Sequence, residues 1–288
     1  MSRAPLLWTI AAAALASSGY LAAQTGGAAI GVAASVVHDV KLSNAGATKP
    51  NPVALRQRIA LADLIQTGRA SQLQVLLLDR STFSVGANAV LRIDRFVYDP
   101  ARGRSSGASV ARGAFRFMSG QSNRANNTTL ASPVATIGIR GTVLEGVVGE
   151  GAVAIARGQG AEARDAKANK LTATLVVLRG PGQHTEAGTD VGAASVTSGG
   201  VTVELTEPMQ AAYVPREGAA PIGPFRLSPA GVVLLEDQIF PVRVSGGGNL
   251  KRLLNVLPGV LPGFGGSGNG KPQVFLPPVP IRPKPSGQ

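Results

Sequence analysis

The side chain in this sequence best equipped to recognise another group is Arg140, set within SPVATIGIRGTVLEG, residues 132 to 146. From Val134 to Ile139 every residue except Thr136 is apolar or glycine, so the segment reads as a buried strand that ends on a charge. A guanidinium carries five donors in a planar fork, which suits a carboxylate or a cluster of carbonyls. An arginine in such surroundings either forks onto an internal partner or faces a ligand. Internal pairing is the commoner arrangement, and Arg140 is read here as architectural first, with ligand recognition as the alternative. Gly138 and Gly141 admit a close backbone approach on either reading.

Other chemistry is sought without result. His38 and His184 stand apart, with neither metal-ligand spacing nor an acidic partner. Cysteine is absent, which excludes a disulfide framework, a thiolate metal site and a cysteine nucleophile. Asp94 and Asp99 flank Arg95 and read as a solvated strand end, not as a general acid and base. Two stretches match the glycine pattern of dinucleotide-binding turns. GFGGSG (263–268) lies in low-complexity sequence. GQGAEA (158–163) needs a strand over Val153–Ala156, a helix over Ala161–Asn169 and an acidic residue after the next strand, yet Leu175–Leu178 runs into Arg179. RGAFRF (112–117) interleaves basic and aromatic residues as nucleic-acid-binding strands do, but aromatics make up only 4% of the chain. Asn126 to Thr129 holds glycosylation-type sequons and reads as a polar loop. The expectation is a protein that is not an enzyme, with no cofactor, no metal and no nucleic-acid partner.

The elements that must position these residues are strands. Glycine and proline supply 37 and 20 of the 288 residues, a turn-rich composition. Apolar segments recur between turns at Ala28–Val37, Gln57–Ile65, Gln72–Leu78, Thr82–Val85, Ala89–Val97, Ser109–Phe117, Val134–Ile137, Thr142–Val148 and Val153–Ala156. Their spacing predicts an all-β sandwich, jelly roll or short barrel over residues 24–157. Residues 158–240 read as a smaller β-rich extension, with strands at Leu171–Leu178, Val201–Thr206 and Gln210–Val214. That extension ends in a short helix opened by Ser228 as N-cap and Pro229 in its first turn. Beyond it, 241–288 reads as a basic, Gly/Pro-rich tail expected to be disordered, with a second short helix conceivable over Leu250–Leu257.

The amino terminus reads as an export signal. Met1-Ser2-Arg3 supplies positive charge, Ala4–Ala16 an apolar core too short to span a bilayer, and Ala16 or Ala23 a cleavage point, giving a signal over 1–23. No second apolar stretch has spanning length, so no stable membrane span is expected after cleavage, and the protein is expected in the periplasm or secreted. Net charge is +12, unevenly spread: +7 over residues 51–157, −3 over 158–240 and +6 over 241–288. An exported chain of this charge would be drawn to anionic envelope polymers, although scattered charge also serves solubility alone.

Several blocks together resemble the FecR domain family. They are RIALADLIQTGRASQLQVLLLDRSTFSVGANAVLRIDRFVYDP (58–100), ARGAFRFMSG (111–120) and SPVATIGIRGT (132–142). The family's strand ending Thr-Gly-x-x-Ser matches Thr67, Gly68 and Ser71, and its closing Gly-x-Arg-Gly-Thr matches Gly138, Arg140, Gly141 and Thr142. Arg80 replaces the usual glycine of the Asp-Gly-Ser turn, and Ser132 stands where threonine is frequent. The resemblance covers roughly residues 28–157. It implies an extracytoplasmic all-β module, and it makes Asp63 and Asp79, both in matching blocks, the candidate partners of Arg140. The founding type of the family relays an outer-membrane signal to a cytoplasmic anti-sigma segment. Only three residues precede the apolar stretch here, so the expectation is a stand-alone exported FecR-domain protein. It would bind or scaffold at the cell envelope through an unknown envelope protein or anionic polymer. The alternative is a regulatory component of envelope signalling that acts through a separate membrane partner.

Overall fold

The computed structural model describes residues 27–44, 49–99, 103–120, 126–180 and 192–241, all within one compact unit. The expected signal peptide, the basic tail with its second short helix, and His184 lie outside the described residues. In chain order the strands are β1 (Ala29–Val37), β2 (Val40–Ser43), β3 (Asn51–Pro52), β4 (Arg58–Ala60), β5 (Leu64–Thr67), β6 (Gln72–Leu77), β7 (Thr82–Val85) and β8 (Val90–Asp99). They continue with β9 (Gly103–Met118), β10 (Asn126–Ala131), β11 (Thr136–Arg140) and β12 (Val143–Val148). Helices α1 (Glu150–Ala156) and α2 (Ala161–Asp165) follow. Then come β13 (Thr174–Gly180), β14 (Ala193–Ser198), β15 (Val201–Leu205), β16 (Gln210–Val214), β17 (Ile222–Arg226) and α3 (Pro229–Ile239).

The strands form two sheets that share one member. Sheet A runs β4-β1-β6-β7-β9-β12-β13-β16-β17, antiparallel throughout. Sheet B runs β3-β2-β5-β8-β9-β10-β11-β14-β15, with only β9 and β10 parallel. The 16-residue β9 belongs to both: up to Arg112 it pairs with β8 in sheet B, and from Gly113 it pairs with β12 in sheet A. Gly113 makes the crossing with φ 84, and a Cβ there would fall 2.3 Å from the Cα of Ala89. Only glycine fits this bend.

Alternation along each strand turns one row of apolar residues inward. Leu73, Val75, Phe83, Phe115, Phe117, Leu144 and Val176 from sheet A meet Leu42, Ile65, Leu91, Ile93, Leu130, Ile137 and Val196 from sheet B in one core. Phe83 and Phe117 pack at 4.7 Å between ring centroids. The opposite face of sheet A is also covered. Ala114, Val147, Leu175, Val177, Ala211 and Tyr213 pack there with Ile155 of α1 and Leu235 and Ile239 of α3. This double burial is why every residue of β12 is buried and most of β13 reads as a continuous apolar run. The result is an all-β sandwich with helices on one outer face.

Three sequence expectations are corrected. Gln57–Ile65 is two strands, β4 and β5, because a turn at Ala62 (φ 67) sends them to different sheets. Val153–Ala156 is the end of helix α1, whose buried Ala152, Ile155 and Ala156 follow helical spacing. The region from 158 to 240 is β-rich and ends in a helix as expected, but it continues the same two sheets: β13 pairs with β12, and β14 with β11. A boundary at residue 157 therefore separates no second body. Helix α3 starts as expected, with the Ser228 side chain accepting from the Gly231 N–H at 3.1 Å.

Candidate functional site

The signature blocks converge at one end of sheet A, where Thr82, Met118 and Val143 stand in register. The turn at Asp79-Arg80-Ser81 is closed by the Asp79 carboxylate, which accepts from the Ser81 N–H at 3.0 Å and its hydroxyl at 2.5 Å. Gly120 lies against that turn, since a Cβ there would sit 2.3 Å from the Asp79 carbonyl oxygen. Next to it, the Ser119 N–H donates to the Thr142 carbonyl at 3.1 Å. Fully buried Thr142 donates its hydroxyl to the Gly180 carbonyl at 3.4 Å. Gly141 (φ 55) turns the chain from β11 in sheet B to β12 in sheet A. Asp63 serves a second turn, accepting from the Ala60 N–H and the Asn44 side-chain amide at 2.8 and 2.9 Å.

Arg140 is placed otherwise than its sequence context suggests. Strand β11 alternates strictly, with Ile137 and Ile139 buried while Thr136 and Arg140 are exposed. The expected internal fork onto Asp63 or Asp79 is thus not formed, because an odd step along the pleat separates Arg140 from the core-facing row. Gly138 lies on the same outer face, where an added Cβ would meet the Ser195 hydroxyl at 2.7 Å. His38 donates from Nδ1 to the Ala70 carbonyl at 2.6 Å in an exposed turn.

The buried arginine partnership belongs to other residues. Glu145 of β12, fully buried on the helix-covered face of sheet A, accepts from Arg116 Nε of β9 at 2.6 Å and pairs with Arg179 Nε of β13 at 3.4 Å. Arg179 reaches on to Glu236 of α3 at 2.7 Å and to the Met209 sulfur at 3.3 Å. The Arg116 guanidinium lies 4.5 Å from the ring centroid of Phe240, just past α3. Three strands and a helix are therefore tied by an alternating chain of charges. Sequence reasoning missed it, although Arg116 and Glu145 were each visible as single charges inside apolar strands.

The outer face of sheet B has a different character. Register aligns Arg95, Gly107, Thr129, Gly138, Ser195 and Glu204 in one cross-strand row. The adjacent row holds Arg92, Ser109, Ala131, Thr136, Thr197 and Thr202. A bulge between Ile93 and Arg95 puts both Asp94 and Arg95 on this face. Asp94 is engaged, accepting from Arg92 Nε at 2.5 Å and from the Ser109 hydroxyl. Among the described residues no group of three or more His, Asp or Glu side chains is placed to hold a metal ion. No helix among them is long and apolar enough to cross a membrane.

Residues 63–180 match the family model described as FecR protein. The match takes in Asp63, the Asp79 turn, the shared strand and the closing signature, and it runs past residue 157 into β13. Residues 63–180 of the chain thus form a FecR domain. No curated protein matches it in sequence. Two crystal structures of a candidate anti-sigma factor from Parabacteroides distasonis ATCC 8503 are similar to parts of it. One is 14% identical with a TM-score of 0.37, covering 55% of this chain and 57% of that one. The other is 13% identical with a TM-score of 0.38, covering 59% and 64%. The chain spans less than two thirds of the length of either.

Proposed function

We propose that this protein is exported and acts as a non-enzymatic binding or scaffolding module of the bacterial cell envelope. The observation that carries this reading is the FecR sandwich itself. One outer face is closed by helices and a charge chain, while among the described residues no element covers the other, which is lined with small polar residues and arginines. Fixed charges and hydroxyls on a rigid sheet suit recognition, and among the described residues no nucleophile with an adjacent base accompanies them. The basic start and short apolar core at residues 1–16 support export.

A second reading keeps the regulatory role of the family and routes it through a separate membrane partner; the FecR match favours it. Crosslinking in the native envelope followed by mass spectrometry separates the two. Contacts with polymer or outer-membrane components support the binding module, and contacts with a membrane-embedded regulator support the second reading. N-terminal sequencing of the mature protein should find a start near Ser17 or Gln24. Recovery from the cytoplasm with Met1 retained defeats both.

A further inference from the structure

We propose that the outer face of sheet B is a binding lane for an extended polyanionic polysaccharide, with Arg95 and Arg140 as its recognition forks; this rests on the binding-module reading above. The lane is the two cross-strand rows from β8 to β15, roughly 24 Å long at the ~4.8 Å spacing of neighbouring strands. Its floor is Gly107, Thr129, Gly138 and Ser195 beside Ser109, Ala131, Thr136 and Thr197, so no long side chain stands between β9 and β14 to hold a ligand off. Here the long side chains are Arg92 and Arg95 at one end, Glu204 at the other, and Arg140 along one side.

Charge decides the class of occupant. Arg95 and Arg140 are exposed, and neither is held in an ion pair among the described residues, whereas Asp94 is taken up by Arg92 and Ser109. The bulge that turns Arg95 outward lays its side chain over bare Gly107: a Cβ built there would be 3.8 Å from Arg95 Nε. Arg140 lies three strands away and two residues further along, about 15 Å from Arg95 by strand geometry. Two forks at that separation select a ligand that repeats its carboxylates, because each guanidinium takes one in bidentate fashion. The hydroxyls between them match sugar hydroxyls. The lane between the forks carries no large apolar side chain to insert into a bilayer, which favours a polysaccharide over a lipid surface.

The test is affinity electrophoresis of the full chain through gels containing polygalacturonate or its methyl ester, which has the same backbone without the charge. Retardation by the acid form alone is expected, falling as salt rises. Arg95→Gln combined with Arg140→Gln should weaken it at least tenfold. Lys167→Gln combined with Lys170→Gln, an equal loss of charge at exposed positions near α2, should leave it within twofold. Circular dichroism melts confirm that both variants fold. Equal weakening in the two variants, or none in the arginine variant, overturns the lane while leaving the binding-module reading to the crosslinking experiment. Equal retardation by the ester, or arginine-dependent binding to anionic phosphatidylglycerol vesicles in place of the polymer, also overturns it.

Discussion

Glu145 is the residue on which the most energy turns. Its carboxylate is buried between Arg116 and Arg179, so removing its charge takes that partner from the Arg116 guanidinium at a helix-covered face, while Arg179 keeps Glu236. Glu145→Gln should cost about 3–5 kcal/mol in urea unfolding, whereas replacing Glu145 and Arg116 together by leucine and methionine should cost clearly less, since breaking a buried pair is worse than deleting it. Arg80 gives the opposite expectation. It occupies the family's glycine position at φ 65, a left-handed backbone that burdens any side chain with a Cβ. Arg80→Gly should stabilise the protein by about 0.5–1 kcal/mol, read as a higher midpoint with an unchanged slope. Tyr213 sets a pH limit. Burial pushes its phenol above the ordinary value near 10, against a smaller opposing pull from Arg157. A folded value above the unfolded one means its contribution is whole below about pH 10 and is lost as pH rises through the folded value. Tyr213→Phe should remove that part of the alkaline loss of stability, measured by melts from pH 9 upward.

Among the elements, the strands were legible wherever one face is buried and alternation survives, as in β6 with Leu73, Val75 and Leu77 inward. They were misread where both faces are covered or the run is short. Ile155 and Ala156 look like a strand in sequence, and only the sheet beneath them selects the helix. The candidate site was partly legible for a related reason. Asp79, Gly141 and Thr142 act locally at turns, which sequence can signal, whereas the partner of Glu145 depends on β9 lying beside β12, 29 residues away in the chain. Arg140 was misjudged because an apolar run hides which of its residues face outward until the register is known. The bend in β9 supplies a test at this scale. Gly113→Ala adds a methyl where φ is 84 and Ala89 leaves no room, and should cost about 3 kcal/mol in thermal or urea unfolding.

For the molecule as a whole, the continuation of both sheets past residue 157 means that shortening the chain there exposes the long flanks of β11 and β12 at once. A chain ending at residue 157 should be recovered as aggregate, and one ending at Arg243 should be soluble with a cooperative melt, as size-exclusion chromatography and calorimetry would report. The shared strand has a further consequence for how the protein opens. A slip of one residue along β9 would carry Val110 out of one sheet's inward row and Phe115 out of the other's in the same movement, so neither layer can fray by register while the other stays intact. Amide protons of Leu91 and Leu144, on opposite sides of the sandwich, should therefore exchange with deuterium through a single opening event, with matching free energies and matching sensitivity to urea.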